Sequence, residues 1–250
     1  MLEICPKLRT FKLFVTESLA ELGSTLQALG HTLDQISLVY PDSTTHLSGF
    51  KEFLEACGRR ISRLDVECSH NTIVTTEDLV AIATNCTQLE SISFSSLHMV
   101  PEVDFRISYS PVPLAPADFP FLRKMKLSNV VIEDYGKDIF RYLIGGAHDL
   151  ESIVVCFNQQ ISKGYFFSDF LLDDIFASNS LSQLQEFILK DGALTLISAL
   201  RLITTLPKLR IVGRLLNWDA ESSEINSFIQ ILRYINRDCT ALHCAALEHF

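Results

Sequence analysis

Residues 89–94 read Leu-Glu-Ser-Ile-Ser-Phe (LESISF), and the alternation inside this hexapeptide decides the fold. Leu89, Ile92 and Phe94 are apolar, while Ser91, Ser93 and Ser95 are small and polar. Side chains two apart share one face of a strand, so the pattern predicts a short strand with one dry and one wet face. Just upstream, Leu79, Ile82, Ala83 and Cys86 stand at i, i+3, i+4 and i+7, which makes one apolar stripe on a helix. Thr75 or Thr76 can cap its start, and Glu77 and Asp78 put negative charge on its first turn. The unit is therefore a helix followed by a strand.

The same plan returns along the chain. Copies of a loose L-x-x-L-x-L signature begin at Leu8, Leu33, Ile61, Leu89, Leu122, Leu150, Leu184 and Leu209, and a degenerate ninth begins at Leu242. Phe50, Phe53, Leu54 and Cys57 form the helical stripe before Ile61, and Ile139, Phe140, Leu143 and Ala147 form the one before Leu150. A unit of this size cannot bury its own stripe, so copies must stack. Each buried Leu or Phe is worth roughly 1.5–3 kcal/mol, and three or four per copy supply the cohesion. The expected fold class is α/β: a leucine-rich-repeat solenoid, horseshoe-like, with short parallel strands on the concave face and helices on the convex face. It is expected to form a single domain over residues 1–250, of about eight irregular repeats plus the degenerate ninth, cut at both ends.

Two intervals depart from the plan. Residues 101–120 hold Pro101, Pro111, Pro113, Pro116 and Pro120, five of the chain's eight prolines, which excludes a regular helix there. This Pro-rich insertion reads either as a strap over the core, partly anchored by Phe105, Tyr109, Phe119 and Phe121, or as a rim loop that contacts a partner. Residues 161–180 carry Phe166, Phe167, Phe170, Leu171, Ile175 and Phe176, an apolar helix filling a wider gap. Farther on, Ile225, Phe228, Ile229, Leu232 and Ile235 mark another helical stripe, and Trp218 is expected to pack over a strand end.

Composition narrows the function classes. A net charge of −9 argues against a nonspecific nucleic-acid or membrane-surface binder, which needs a basic footprint. No apolar run reaches the eighteen or so residues of a membrane span, and MLEICPKL has the pattern of no secretory signal. Seven scattered cysteines suit reduced thiols in the cytoplasm or nucleus. Cys5 and Cys86 stand three residues before their repeat leucines and Cys57 four before Ile61, where other copies place Gly30, Phe119, Ala147, Leu181 and Leu206. A position tolerant of those residues is a packing position, not a reactive one.

Enzyme signatures are lacking: there is no P-loop, G-x-G-x-x-G, G-x-S-x-G or H-E-x-x-H. Cys239, His243, Cys244 and His249 match no zinc spacing, Cys68 and His70 lack an orienting third group, and Asp173-Asp174 reads as a solvated helix face. No catalytic, cofactor or metal site is expected.

The repeats resemble the ribonuclease-inhibitor-like leucine-rich-repeat class, and the C-x-x-L openings at Cys5, Cys86 and Cys239 resemble the subtype common in F-box/LRR proteins. That resemblance implies a solenoid that selects substrates for ubiquitination, with a Skp1-type adaptor bound by an F-box. No F-box-like segment precedes Leu8, so the adaptor is a partner only if an F-box lies outside this chain. Thr16, Pro41, Ser69, Leu97 and Val130 also replace the usual Asn or Cys of the ninth repeat position, which Asn158 keeps.

The concave strand positions are expected to bind a protein partner, with the rim loop second. The candidate residues are Lys12, Arg63, Asp65, Glu67, Ser93, Lys124, Lys126, Glu186 and Lys190 on strands, and Phe105 and Tyr109 on the rim loop. They set an acidic area at Asp65/Glu67 apart from a basic one at Lys124/Lys126, a layout suited to charge matching. The function expected is a non-catalytic protein-interaction module, the substrate-recognition part of an F-box/LRR ligase subunit. The alternatives are a stand-alone scaffold or inhibitor and, third, a GTPase regulator using Arg106 or Arg141.

Overall fold

A computed structural model describes residues 8–15, 19, 22, 33–41, 46–99, 118–132, 142–157, 181–190, 196–212, 226 and 230. Its strands are β1 (Thr10–Phe14), β2 (Gln35–Val39), β3 (Arg63–Val74), β4 (Ser91–Met99), β5 (Lys124–Ile132), β6 (Ser152–Phe157), β7 (Glu186–Lys190) and β8 (Ile211–Val212). They form one 8-stranded sheet in chain order, with every pairing parallel. The helices are α1 (Phe50–Cys57), α2 (Thr76–Asn85) and α3 (Leu196–Thr205), and a 3₁₀ turn, Gly58–Arg60, follows α1. This is an α/β layout consistent with a leucine-rich-repeat arrangement.

Repetition is written into the backbone hydrogen bonds. At each junction one carbonyl accepts two successive N–H groups from the next copy. Arg9 O receives Asp34 N and Gln35 N, Asp34 O receives Ser62 N and Arg63 N, and Ser62 O receives Glu90 N and Ser91 N. Glu90, Arg123, Glu151 and Gln185 continue the series to Ile211. In the six described repeats from Ile61 to Leu209, the residue three before the repeat position closes a turn onto it: Gly58, Cys86, Phe119, Ala147, Leu181 and Leu206 each accept the N–H of the residue three places on. All six are buried, whereas the residues between, such as Pro120 and Phe121, are largely exposed.

Two readings of the sequence change here. Gly58, not Cys57, holds the shared turn position, and a Cβ on Gly58 would meet Asn85 at 3.1 Å. Cys57 stands one residue earlier, half-buried, with its thiol donating to Phe53 O at 3.1 Å. Phe121 is exposed rather than anchored, because it occupies the outer part of a turn, while Phe119 is fully buried.

The core lies on one side of the sheet. Ile36, Leu38, Leu64, Val66, Ile92, Phe94, Met125, Leu127, Ile153, Val155, Phe187 and Leu189 are all buried, and they alternate with outward residues along each strand. Phe50, Phe53 and Leu54 of α1, Leu79 and Ile82 of α2, and Ala199 and Leu202 of α3 belong to the same core. The helices therefore cover that side. On α2 the expected stripe shifts slightly, with Ala81 buried and Ala83 only partly so. Leu143 and Ala147 are buried as expected, whereas Ile139 and Phe140 lie outside the described residues. Thr75 caps α2 in a reciprocal box: its hydroxyl accepts from Asp78 N at 3.3 Å, and its own N–H donates to Asp78 Oδ2 at 2.9 Å.

The middle strands run past the expected length. Opposite the single residue Ser96, β3 places four, Cys68 to Asn71, before pairing resumes at Thr72 with Leu97. Between β5 and β6, Asn129 is the extra residue. Ser96 (φ 58°) and Asn129 (φ 53°) are both left-handed, and Asn129 Nδ2 donates to Ser96 Oγ at 3.0 Å. These kinks bend the strands where the repeat's alternation ends.

The segments 101–117 and 161–180, the Ile225–Ile235 stripe residues and Trp218 lie outside the described residues. Asn226 and Gln230 between those stripe residues are helical and exposed.

Candidate functional site

Parallel pairing in a constant register turns the outward side chains into three rows. The first contains Thr10, Gln35, Arg63, Ser91, Lys124, Ser152, Glu186 and Ile211. The second contains Lys12, Ser37, Asp65, Ser93, Lys126, Val154 and Ile188. The third contains Phe14, Val39, Glu67, Ser95, Ser128, Cys156 and Lys190. Each is exposed or half-exposed, and none is buried. The nine strand candidates, Lys12, Arg63, Asp65, Glu67, Ser93, Lys124, Lys126, Glu186 and Lys190, therefore share this one face. Phe105 and Tyr109 lie outside the described residues, as do Arg106 and Arg141.

The acidic and basic areas differ in how their charge is held. Arg63 Nε donates to Asp65 Oδ2 at 2.9 Å along β3. Lys12 lies 3.7 Å from Glu67 Oε2, reaching past β2, and its ammonium sits 5.7 Å from the Phe14 ring centre. Ser152 donates its hydroxyl to Glu186. Among the described residues, Lys124 and Lys126 enter no ion pair. The hydrogen bond of Glu186 joins the neighbouring strands β6 and β7, and the ion pair of Lys12 with Glu67 spans from β1 to β3, contacts that one-strand pattern reading does not show.

Apolar surface flanks the charge. Phe14 is 68% exposed at one end, and Val154, Ile188 and Ile211 are half-exposed or exposed at the other. The face thus runs from apolar, through a paired charge cluster and a serine lane, to a lysine pair and a second apolar area.

The thiols of Cys68 and Cys86, buried, and of Cys57, half-buried, belong to the packing and not to this face. Burial pushes Cys57, Cys68 and Cys86 up to about 12. For Cys68, burial and then the Glu67 and Asp78 carboxylates raise the thiol against a hydrogen bond with the Thr72 side chain, the opposite of the shift a reactive cysteine needs. The His70 side chain, Asp173, Asp174 and the group Cys239, His243, Cys244 and His249 lie outside the described residues. Among the described residues no cluster of three or more His, Cys, Asp or Glu side chains could hold a metal ion, and no helix is long and apolar enough to cross a membrane.

Compared with known proteins, the chain matches no family model and no curated protein.

Proposed function

We propose that the chain is a leucine-rich-repeat solenoid of the ribonuclease-inhibitor-like kind, and that the open strand face is its concave, protein-binding surface. The observation that carries this reading is the three rows of outward side chains, left uncovered across seven strands while the described helices lie on the other side. Solenoids use such continuous surfaces to bind extended or folded protein. The mixture of paired charge, hydroxyls and two apolar ends suits a protein rather than a nucleic acid, in keeping with the net charge of −9. The module is non-catalytic and needs no cofactor. The four described thiols, Cys57, Cys68, Cys86 and Cys156, are unbridged, which suits a reducing compartment, the cytoplasm or nucleus.

Within this reading, the C-x-x-L resemblance favours the substrate-recognition part of an F-box/LRR ubiquitin-ligase subunit, with a Skp1-type adaptor held by an F-box outside this chain. The alternative is a stand-alone scaffold or inhibitor. Affinity capture tests both, using the wild type, the face variant Ser93→Arg/Lys126→Glu and the helix-side variant Glu52→Lys/Glu55→Lys. The expected result is a discrete protein retained by the wild type and the helix-side variant and lost by the face variant. Recovery of a Skp1-type adaptor by the parent protein supports the ligase branch. Equal retention by the face variant contradicts the assignment of the surface.

A further inference from the structure

Among the described residues of the open face, β1 and β3 pair their charges with each other, whereas Lys124 and Lys126 of β5 and Lys190 of β7 enter no ion pair, and only β5 carries two such cations. Asp65 is held by Arg63 at 2.9 Å, Glu67 by Lys12 at 3.7 Å, and Glu186 accepts from the Ser152 hydroxyl. The strands beside β5 offer the face only Ser91, Ser93 and Ser95 on one side and Ser152, Val154 and Cys156 on the other, with no carboxylate. Just below the first row, Arg123 separates Glu90 from Glu151, donating its N–H to Glu90 O at 2.9 Å and accepting Glu151 N at 2.8 Å. Lys124 and Lys126 are therefore two exposed cations, unpaired among the described residues, in a chain whose net charge is −9.

Their spacing is informative. Outward residues two apart on a strand stand about 6.6–6.8 Å apart, the repeat of alternate residues in any extended chain. One ligand phosphate favours a guanidinium fork, whereas two separate ammonium groups act as two point charges. Beside them, Val154 and Ile188 continue the Lys126 row as an apolar shelf, about 4.8 Å away per strand.

We propose that Lys124, Lys126 and the Val154/Ile188 shelf dock an extended segment of a protein partner bearing two acidic residues at alternate positions, followed by an apolar residue. This inference rests on, and deepens, the protein-binding reading of the face. A segment climbing along β5 sets one carboxylate over each lysine. Turning across the sheet toward β7 after the second carboxylate, it lays its next same-side residue on the shelf, which stands in the Lys126 row. The serine lane supplies hydroxyls to the segment's backbone without adding charge.

The test is fluorescence anisotropy on the full chain with fluorescein-labelled 12-residue peptides. One has a Glu-Ser-Glu-Ser-Leu core, and the controls carry Gln-Ser-Gln-Ser-Leu, Glu-Glu-Ser-Ser-Leu or a single phosphoserine. The first peptide is expected to bind at least about tenfold tighter than the Gln control and to weaken as salt rises. Lys124→Glu/Lys126→Glu should lose about tenfold or more, and Val154→Ser a few-fold, with unchanged circular dichroism showing intact folding. Equal binding of the Gln peptide, preference for phosphoserine, or indifference to the lysine reversal overturns the proposal. If these peptides fail while partner capture still depends on Ser93 and Lys126, the docking chemistry falls and the protein-binding reading stands. If capture is indifferent too, both fall.

Discussion

Single residues divide into those that hold the core and those that tune its surface. Phe94 is fully buried in the middle of the stack, so Phe94→Ala is expected to cost about 3–5 kcal/mol in a urea titration. The face pairs should matter far less. A double-mutant cycle on Lys12 and Glu67, both more than half exposed, is expected to give under about 1 kcal/mol. The thiols add a pH signature. Cys57, Cys68 and Cys86 rise from 9.0 to about 12 on folding because burial disfavours the thiolate. Their contribution is complete below pH 9 and is lost between pH 9 and about 12, as the unfolded chain alone releases protons. Urea midpoints measured from pH 7 to 10.5 should therefore stay level at first and then fall, and substituting all three cysteines by Ala should flatten that decline. Residue by residue, the sequence reveals burial well, since Leu89, Ile92 and Phe94 alternate with serines. It hides Gly58, because a glycine beside Cys57 gives no apolar signal, and only the turn onto Ile61 shows which residue fills the phase.

Among the elements, helix caps and strand ends carry the tests. Thr75→Ala removes one half of the capping box on α2 and is expected to cost about 1 kcal/mol, read as a lower midpoint in thermal unfolding. At the kink, Asn129→Val should destabilise by about 1–2 kcal/mol more than Asn129→Gly, since a β-branched residue resists φ 53°. The cap was legible because Thr75 precedes two acidic residues and an apolar stripe. The extension of β3, β4 and β5 beyond the repeat was not. Ser96 has no outward mark of a left-handed backbone, and the four residues Cys68 to Asn71 obscure the alternation before Thr72 re-pairs. Pairing between strands decides those stretches, and pairing is a long-range property.

At the scale of the whole molecule, each copy adds one strand to the same side, so surface residues distant in sequence meet in rows. Lys12 reaches Glu67, and Lys126 stands level with Ser93, Val154 and Ile188. The face was legible because period-two alternation fixes which residues point outward and a constant register aligns them. Its pairing of charges was not legible, since no local pattern says which carboxylate a long lysine side chain will reach. On the proposed reading this face, and not the helix side, receives a protein partner. Photo-crosslinking tests it most directly, with a benzophenone amino acid placed in turn at Ser93, Lys126, Glu52 and Glu55 of the protein in cell extract. One discrete crosslinked protein is expected from Ser93 and Lys126 and none from the two helix positions. Crosslinks confined to Glu52 and Glu55 would contradict that reading.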